Sequence, residues 1–467
     1  MRITHGFALS SFEIRHSLHS ARIRCRSRTV KIPHIVIAKI IRALHDIFVD
    51  RRYADKAVEF TFKHHPKWGS RDRRMFAEAI YEIVRHWRWY WYLAGLHDED
   101  HHRPEAIGEE QLWRVWAAYW VMTEGDLPAF DELFAVRKED ILARSKREVS
   151  PLIRASIPNW MDERLGRELG EAWPAVRATL NTPAQVYLRV NTLKTERRTL
   201  KTRLAQDGFT TEPLKEIPTA LEMKQRYNVF GMAAFKEGLF EVQDASSQCV
   251  APFLQVEPGM KVIDACAGGG GKTLHIGALM QNKGRILALD VHQWKLNELR
   301  KRCGRAGVDV AETRMIEGSK SIKRLAGYAD RVLLDVPCSG LGVLRRNPDA
   351  KWKLSNEEID RLIIEQQDIL TRYSVMVKPG GKLVYATCSV LPSENEDQVQ
   401  KFLAKHGDDW TLEEEMKINP AESGHDGFYG ARLVRKGAAV PETAVSQIEA
   451  SESADETPAN APDTTAE

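Results

Sequence analysis

The stretch that decides the fold reads KVIDACAGGGGKT and spans residues 261–273. It begins with a strand-like run, Lys261–Asp264, and continues through four consecutive glycines into a helical pattern. Glycines let the backbone approach a ligand closely, and the start of a helix offers N–H groups that no backbone carbonyl occupies. The stretch therefore predicts a strand, a ligand-binding loop and a helix, in that order.

The same alternation of strand and helix continues from Val250 to Lys436. Short apolar runs are separated by segments in which apolar residues recur with helical spacing. Such alternation predicts a parallel, doubly wound sheet of the Rossmann-like α/β class. The predicted strands after the first are Arg285–Asp290, Thr313–Ile316, Arg331–Asp335 and Lys382–Thr387.

The glycine loop narrows the choice of nucleotide ligand. A P-loop needs a glycine five positions before Gly271, where Cys266 stands, and a dinucleotide fingerprint begun at Gly268 needs one where Thr273 stands. An adenosine ligand without a pyrophosphate remains, and S-adenosylmethionine is the common one. Asp290 ends the second strand about 20 residues on, where an acid binds ribose hydroxyls in such folds.

Two cysteines follow neighbouring strands of the predicted sheet. Strand four runs into Asp335-Val336-Pro337-Cys338-Ser339-Gly340, and strand five runs into Thr387-Cys388-Ser389. Ligands bind at the carboxyl ends of strands in a doubly wound sheet, so Asp335, Cys338 and Cys388 are expected to converge beside the glycine loop. Packing is the simpler explanation for one buried cysteine, but two at adjacent strand ends, each followed by serine, favour chemistry.

The six cysteines form no CxxC pair, and no histidine stands near them at metal-ligand spacing. A metal site is therefore not expected. No secretory signal is visible, which favours a reduced, cytoplasmic protein whose special cysteine is catalytic rather than bridged. No apolar run approaches the ~18 residues that a membrane helix needs.

The rest of the chain divides by composition. Residues 35–149 are predicted to be an all-α domain, in which the aromatic run Arg85–Tyr92 packs into the core with its arginines in solvent. The basic segment Arg71–Arg74 and Arg189 are candidate RNA phosphate contacts. Residues 150–248 read as a small α+β domain, and residues 249–436 hold the doubly wound sheet. Residues 1–34, with seven Arg or Lys, and 437–467, with seven acids, are predicted to be a disordered basic arm and acidic tail.

These motifs resemble those of the RsmB/Sun family of bacterial RNA cytosine-5 methyltransferases. The resemblance runs from about residue 36 to 436 and is most specific in the paired Pro-Cys-Ser and Thr-Cys-Ser motifs. It implies a NusB-like RNA-binding domain before the α+β and methyltransferase domains. Two positions depart from the family pattern: Gly268-Gly269 replace Ala-Pro in the loop, and Glu317 replaces the usual Asp. The other matching segments are 188–191, 242–248, 393–396 and 426–428.

The resemblance also implies roles for individual residues. Cys388 is expected to attack carbon 6 of cytosine, Asp335 to contact the edge of the base, Cys338 to act in product release and Lys272 to contact the base or its phosphate. S-adenosylmethionine is the expected cofactor. The expected cofactor contacts are Cys266, Ala267, Gly268, Gly269, Gly270, Gly271, Lys272, Asp290, Glu317 and Asp335.

The resemblance implies RNA as the partner, with small-subunit ribosomal RNA as the expected substrate. No membrane or metal partner is expected, and the protein is expected to be a monomer. Two alternatives stay open at this point. Transfer RNA could receive the same chemistry, because catalytic motifs do not identify the substrate RNA. A non-catalytic ribosome-assembly factor with the same fold would be expected to have lost a catalytic cysteine or Asp335, and the chain retains all three.

Overall fold

Six α-helices form the N-terminal part of the protein, whose computed structural model describes residues 33–437. Apolar residues at helical spacing pack into one core, as predicted for this all-α part. The predicted arm and tail lie outside the described residues except where they join the body. No helix in the described range is both long and apolar enough to cross a membrane. The helices are α1 (His34–Phe48), α2 (Ala54–His64), α3 (Ser70–Arg85), α4 (Trp87–Leu93), α5 (Glu109–Thr123) and α6 (Lys138–Ser145).

The aromatic run at α4 packs inward, as predicted. Trp87, Tyr90 and Trp91 are buried, and the Trp87 ring stacks on Phe48 with 3.7 Å between ring centroids. Stacked and edge-on aromatic contacts of this kind stabilise a core beyond simple burial. The run is therefore part of the core rather than a platform for bases.

The prediction that the arginines of this run are in solvent was wrong. Arg85 and Arg88 are both buried. Arg88 donates to Asp98 at 2.8 Å and to the backbone oxygen of Ile157 at 2.7 Å, and Arg85 donates to the backbone oxygen of Arg345 at 3.0 Å. A buried guanidinium group is tolerated where carbonyl and carboxylate oxygens satisfy it. Those oxygens come from later parts of the chain, which helical spacing alone does not reveal.

The middle of the chain contains three short helices and then a four-stranded antiparallel sheet. The sheet has the order β2-β3-β1-β4, in agreement with the predicted α+β unit. The elements are α7 (Pro151–Ala155), α8 (Asn159–Leu169), α9 (Trp173–Leu180), β1 (Val186–Val190), α10 (Arg197–Gln206), β2 (Thr211–Pro213), β3 (Ala220–Met223), α11 (Ala233–Lys236), β4 (Phe240–Val242) and α12 (Ala245–Phe253).

A seven-stranded sheet with the order β10-β11-β9-β8-β5-β6-β7 forms the last part of the described chain. Strands β5 to β9 are parallel, and helices cover both faces, which is the predicted doubly wound class. The elements are β5 (Lys261–Asp264), α13 (Gly271–Leu279), β6 (Arg285–Asp290), α14 (Gln293–Ala306), β7 (Ala311–Met315), α15 (Ser319–Lys323), β8 (Ala329–Asp335), α16 (Ala350–Lys353), α17 (Asn356–Tyr373), β9 (Val377–Thr387), α18 (Glu396–His406), β10 (Trp410–Ile418), α19 (Pro420–Ser423) and β11 (Phe428–Arg435).

Three predicted strand boundaries differ from the structure. The third predicted strand, Thr313–Ile316, is Ala311–Met315, and the strands that end at Asp335 and Thr387 begin earlier, at Ala329 and Val377. The antiparallel pair β10 and β11, which was not predicted from the sequence, extends the sheet beyond β9. All five predicted parallel strands are nevertheless present, so the edge of the sheet where ligands bind is as expected.

Lys351 of α16 joins the three parts of the protein. Its ammonium group donates to the backbone oxygens of Arg85 at 2.6 Å and Ser156 at 2.9 Å, and to Oδ1 of Asn181 at 2.9 Å. Helices α8 and α9 also pack against the large sheet domain, where Met161 and Trp173 share a core with residues that follow β8 and β9. The helical part is thereby held against the domain that carries the candidate site.

Candidate active site

A cavity of about 510 Å³ opens at the carboxyl ends of β8 and β9. These parallel neighbours pair Asp335 with Ala386, so the segments that follow them leave the sheet at the same edge. The four residues predicted for catalysis, Lys272, Asp335, Cys338 and Cys388, all line this cavity.

The two cysteines lie in direct contact. Their sulfur atoms are 3.4 Å apart, within hydrogen-bond distance for sulfur, and both residues are half-buried. The hydrogen bond with Cys388, together with burial, holds the pKa of the Cys338 thiol well above its ordinary value of 9.0. Cys338 therefore retains its proton and can donate a hydrogen bond to the sulfur of Cys388.

Lys272 and Asp335 form an ion pair on the cavity wall, with 2.6 Å between Nζ and Oδ2. Burial lowers the pKa of Lys272, but the charge of Asp335 and the hydrogen bond to it, together with nearby Cys388, produce a net increase. Lys272 is thus held as an ammonium group near the sulfur pair, where it favours a thiolate. The ammonium lies 5.0 Å from the centre of the Phe428 ring, which lines the same cavity.

The glycine loop lies between β5 and α13, beside the carboxyl end of β6. The N–H of Gly268 donates to Oδ2 of Asp290 at 2.9 Å, and the N–H of His292 donates to the other oxygen at 2.8 Å. Gly270 has φ of +83°, and a Cβ there would lie 1.9 Å from Cδ1 of Leu299. A side chain at this position would therefore strain the loop backbone and force the Leu299 side chain of α14 to move.

The loop is suited to an adenosine ligand. A Cβ at Gly268 would meet nothing within 4 Å, so open space lies above the loop beside the fixed carboxylate of Asp290. Cys266 and Ala267 lead from β5 into this space. Glu317, also predicted to contact the cofactor, follows β7 at the same edge of the sheet but is exposed, and its carboxylate makes no hydrogen bond within residues 33–437.

The prediction of Arg189 as an RNA phosphate contact was wrong. Only 3% of Arg189 is exposed, and its guanidinium donates to Oε1 of Gln243 and to the backbone oxygen of Gly271. Burial lowers the pKa of Arg189 to about 9. The residue braces the start of α13 from the middle domain, so its charge is not available to a polyanion. By contrast, Arg71 and Arg74 are exposed.

A second group of charged residues in the cavity, Arg346, Asp244 and Asp426, had no role predicted from the sequence. Arg346, in the segment after β8, pairs with Asp244 at 2.5 Å and with Asp426. Burial raises the pKa of Asp426 to about 6. Asp244, Asp426 and Phe428 all lie in motifs that carried the family resemblance, which was the available signal, whereas Arg346 had none.

The comparisons with known proteins agree with this geometry. Residues 251–434 match the family described as 16S rRNA methyltransferase RsmB/F, and residues 157–230 match the ferredoxin-like domain described as RsmF/B-like. A relative from Synechocystis, named probable ribosomal RNA small subunit methyltransferase B, is 33% identical over 435 residues, which cover 84% of this chain and 97% of the relative. The chain belongs to the RsmB/F methyltransferase family.

Other RsmB/F relatives and solved structures extend the match. The ribosomal RNA small subunit methyltransferase B of Pasteurella multocida is 36% identical over 290 residues, covering 59% of this chain and 64% of the relative. NSun6 from Pyrococcus horikoshii, solved with SFG, has a TM-score of 0.55 at 21% identity and covers 60% of this chain and 99% of its own, which shows a shared fold.

The RsmB/F methyltransferases use S-adenosylmethionine. In this member, the residues that would hold it are those of the glycine loop from Cys266 to Gly271 and Asp290, because the loop amides and the carboxylate border the same open space. Asp335 lies where this space and the cysteine cavity meet, at the end of the strand between β5 and β9.

Proposed function

We propose that the protein methylates carbon 5 of a cytosine in small-subunit ribosomal RNA, with Cys388 as a covalent nucleophile. The main support for this proposal is that the sulfur atoms of Cys338 and Cys388, 3.4 Å apart, lie in one cavity with the Lys272–Asp335 ion pair. The names of the relatives support ribosomal RNA as the substrate.

The arrangement suits covalent activation of the base. Carbon 5 of cytosine is too weak a nucleophile to accept a methyl group unaided. The Cys388 thiolate forms a bond to carbon 6, and the electron pair of the carbon 5–carbon 6 double bond moves to carbon 5. Lys272 lowers the energy of the attacking thiolate by its charge, and Cys338 holds that sulfur by a hydrogen bond.

Asp335 is suited to the polar edge of the base. Its carboxylate can accept from the amino group at N4 and, once N3 has taken a proton from solvent, from the N3–H group. That proton neutralises the negative charge of the adduct and returns to solvent when the product is released. Phe428 supplies an aromatic wall to the cavity. A base must leave its stack to enter such a cavity, at a cost of a few kcal/mol.

Release of the methylated base requires the bond between Cys388 and carbon 6 to break. S-adenosylmethionine, when bound, supplies the methyl group to carbon 5. The carbon 5 proton then passes to solvent, its electron pair restores the double bond, and Cys388 leaves as a thiolate. The Cys338 thiol stabilises this leaving thiolate by donating a hydrogen bond, so its loss is expected to slow release more than attack.

We also propose that the 35–149 and 150–248 units hold the RNA around the target base. The exposed Arg71 and Arg74 lie at the start of α3, where phosphate contacts would be sequence-independent.

The test separates attack from release. Purified variants are incubated with labelled ribosomal RNA and S-adenosylmethionine and resolved on a denaturing gel. Cys388→Ala is expected to give neither methylation nor adduct, because no bond to carbon 6 can form. Cys338→Ala is expected to accumulate an RNA–protein adduct, and the double variant is expected to lose it.

Cys249→Ala is the matched control, because Cys249 lies on α12 and does not line the cavity. It should methylate at the normal rate, and bisulfite sequencing should place the product at a cytosine. An adduct in Cys388→Ala but not in Cys338→Ala would reverse the assignment, and full activity in both would refute the covalent mechanism.

A further inference from the structure

A buried carboxylate lies beneath the two cysteines. Glu394, between β9 and α18, has no exposed surface and accepts four hydrogen bonds. Its Oε1 accepts from the backbone N–H of Ser339 at 2.8 Å and from Nε2 of Gln366 at 2.9 Å. Its Oε2 accepts from the hydroxyls of Ser339 and Ser389, both at 2.5 Å.

The two serines give this carboxylate its position. Ser339 directly follows Cys338, and Ser389 directly follows Cys388, so one carboxylate joins the two cysteine segments. The serine hydroxyls are 3.3 Å apart, in line with the short distance between the sulfur atoms. The contacts therefore fix the two segments relative to each other, which two independent turns would not do.

The segment that carries Glu394 is itself fixed to β9. Tyr385 donates its hydroxyl to the backbone oxygen of Glu394 at 2.7 Å, and Thr387 donates to Oδ1 of Asn395 at 2.5 Å. Gln366 of α17 also donates to the backbone oxygen of Pro337 at 2.9 Å. Buried polar networks in which the donors find acceptors are rigid, so movement of Glu394 would move both cysteines.

Glu394 also differs from the other charged groups around the sulfur pair. Within residues 33–437 no lysine or arginine nitrogen lies within 4.0 Å of its carboxylate. Lys272 and Asp335 pair with each other, Arg346 pairs with two aspartates, and the Tyr385 hydroxyl is occupied by a carbonyl. Glu394 is thus the charge near the cysteines without an ionic partner.

An anion beneath two thiols disfavours the second ionisation. The hydrogen bond with Cys388 and burial raise the pKa of Cys338 most, and the charges of Cys388 and Glu394 raise it further. The pair can therefore hold one thiolate and one thiol together, which is the state that attack and release both require.

We propose that Glu394 is a positioning residue that locks the two cysteine segments together and, by its charge, keeps Cys338 protonated while Cys388 is the thiolate. The inference rests on the proposed covalent function. Removing the charge while keeping the contacts should ease ionisation of Cys338, whereas removing both should also separate the sulfur atoms.

The variants that separate these effects are Glu394→Gln and Glu394→Ala, with Glu396→Gln as the matched control. Glutamine has the size of glutamate, and the serine hydroxyls can rotate to accept from its amide. Glu396 lies two residues on, and its carboxylate pairs with Lys417 at 2.7 Å rather than with a cysteine segment.

The first measurement needs no RNA. The rate of alkylation of Cys338 and Cys388 by iodoacetamide is followed against pH, with each site located by mass spectrometry. In Glu394→Gln the pH midpoint for Cys338 should fall by about one unit, as expected for loss of a nearby like charge. Glu396→Gln should match the unmodified protein. An unchanged Cys338 profile in Glu394→Gln would overturn the inference.

The second measurement is methylation. Glu394→Ala is expected to lower kcat ~100-fold, as misplacement of reacting groups does, with little change in KM for RNA. Glu394→Gln should retain kcat within about tenfold, because it keeps the geometry. If Glu394→Ala does not fold, the alkylation profile of Glu394→Gln alone decides. Full methylation activity in both Cys388→Ala and Cys338→Ala would refute the covalent function, while an unaltered Cys338 alkylation profile in Glu394→Gln would refute only the role of Glu394.

Discussion

Two buried carboxylates brace the two halves of the active site in different ways. Glu394 lies beneath the cysteines and accepts four hydrogen bonds. Asp264, at the end of β5 beneath the glycine loop, is 1% exposed and accepts one side-chain hydrogen bond, from Thr273 at 2.6 Å. Its other oxygen has no partner within the described residues.

Asp264 and Glu394 are similarly buried but differ in the number of hydrogen bonds that their carboxylates accept. Burial raises the pKa of Asp264 to about 7, because one donor does not compensate for the lost water. Glu394 is as deep but has the donors that a carboxylate requires. The two acids therefore differ in the number of side-chain and backbone donors that replace the lost water: Asp264, beneath the glycine loop, has one, and Glu394, beneath the cysteines, has four.

The largest expected effect comes from removing the well-satisfied acid. Glu394→Ala leaves several buried donors without partners and creates a cavity, so we expect a loss of about 4 kcal/mol in the free energy of unfolding of the sheet domain. Denaturant unfolding followed by circular dichroism measures it. Glu396→Ala, which removes a partly exposed ion pair, should lose less than about 1 kcal/mol. Equal losses in the two variants would show that the four contacts contribute little.

A smaller and pH-dependent effect is expected at Asp264. Its folded-state pKa of about 7 lies above the ordinary 3.8, so the folded protein binds this proton more tightly than the unfolded chain. The stability contributed by the proton is full at low pH, falls as pH rises from about 4 to 7 and is constant above that.

The asparagine in Asp264→Asn cannot ionise, so the stability of this variant should not fall over that pH range. The variant should therefore gain about 3 kcal/mol relative to the unmodified protein between pH 5 and pH 8, since the two pH units between pH 5 and the pKa of about 7 correspond to about 1.4 kcal/mol each. Unfolding curves at the two pH values measure the difference. A gap between the two proteins that stays constant with pH would refute the raised pKa.

The smallest effect is expected from removing the Thr273 hydroxyl, the side-chain donor to Asp264. Thr273→Val keeps the shape of the side chain but removes the hydrogen bond that favours ionised Asp264, so the fall in stability should extend upward by about one pH unit. The same unfolding curves, extended to pH 9, detect it. Combining Thr273→Val with Asp264→Asn should abolish the shift, and a shift that persisted in the double variant would assign it to another group.

The sheet was largely predictable because its strands are marked by apolar runs with clear ends. The bounds of β5 and β6 agree with the structure to the residue. Strand β9 begins at Val377 rather than Lys382, but Pro379 and two glycines interrupt the apolar pattern, and Gly380 has φ of +74° where the pairing with β8 is irregular. Strand β10 was missed because residues 413–415 are three consecutive glutamates, which an edge strand tolerates and an interior strand does not.

The site was predictable where it depends on strand ends and not where it depends on contacts. Asp335, Cys338 and Cys388 follow from the topology of a doubly wound sheet, and Lys272 follows from its place at the end of the glycine loop. Glu394 lay within a quoted motif but had no assigned role, because three of its four donors belong to Ser339 and Gln366, which are distant in the sequence. The buried arginines were misjudged for the same reason: the sequence gives their charge but not the carbonyl groups that satisfy it.

The position of β11 in the sheet has a consequence for the order of synthesis. This strand, the last in the described chain, inserts between β10 and β9, and Asp426 and Phe428 at its start line the cysteine cavity. A chain still being translated has both cysteines, the glycine loop and β10 before it has the strand that joins them. Strand β10 has no neighbouring strand until β11 emerges from the ribosome. Until then the cavity also lacks the side that Asp426 and Phe428 form. The cavity at the cysteines therefore cannot be completed until nearly all of residues 33–437 have been made.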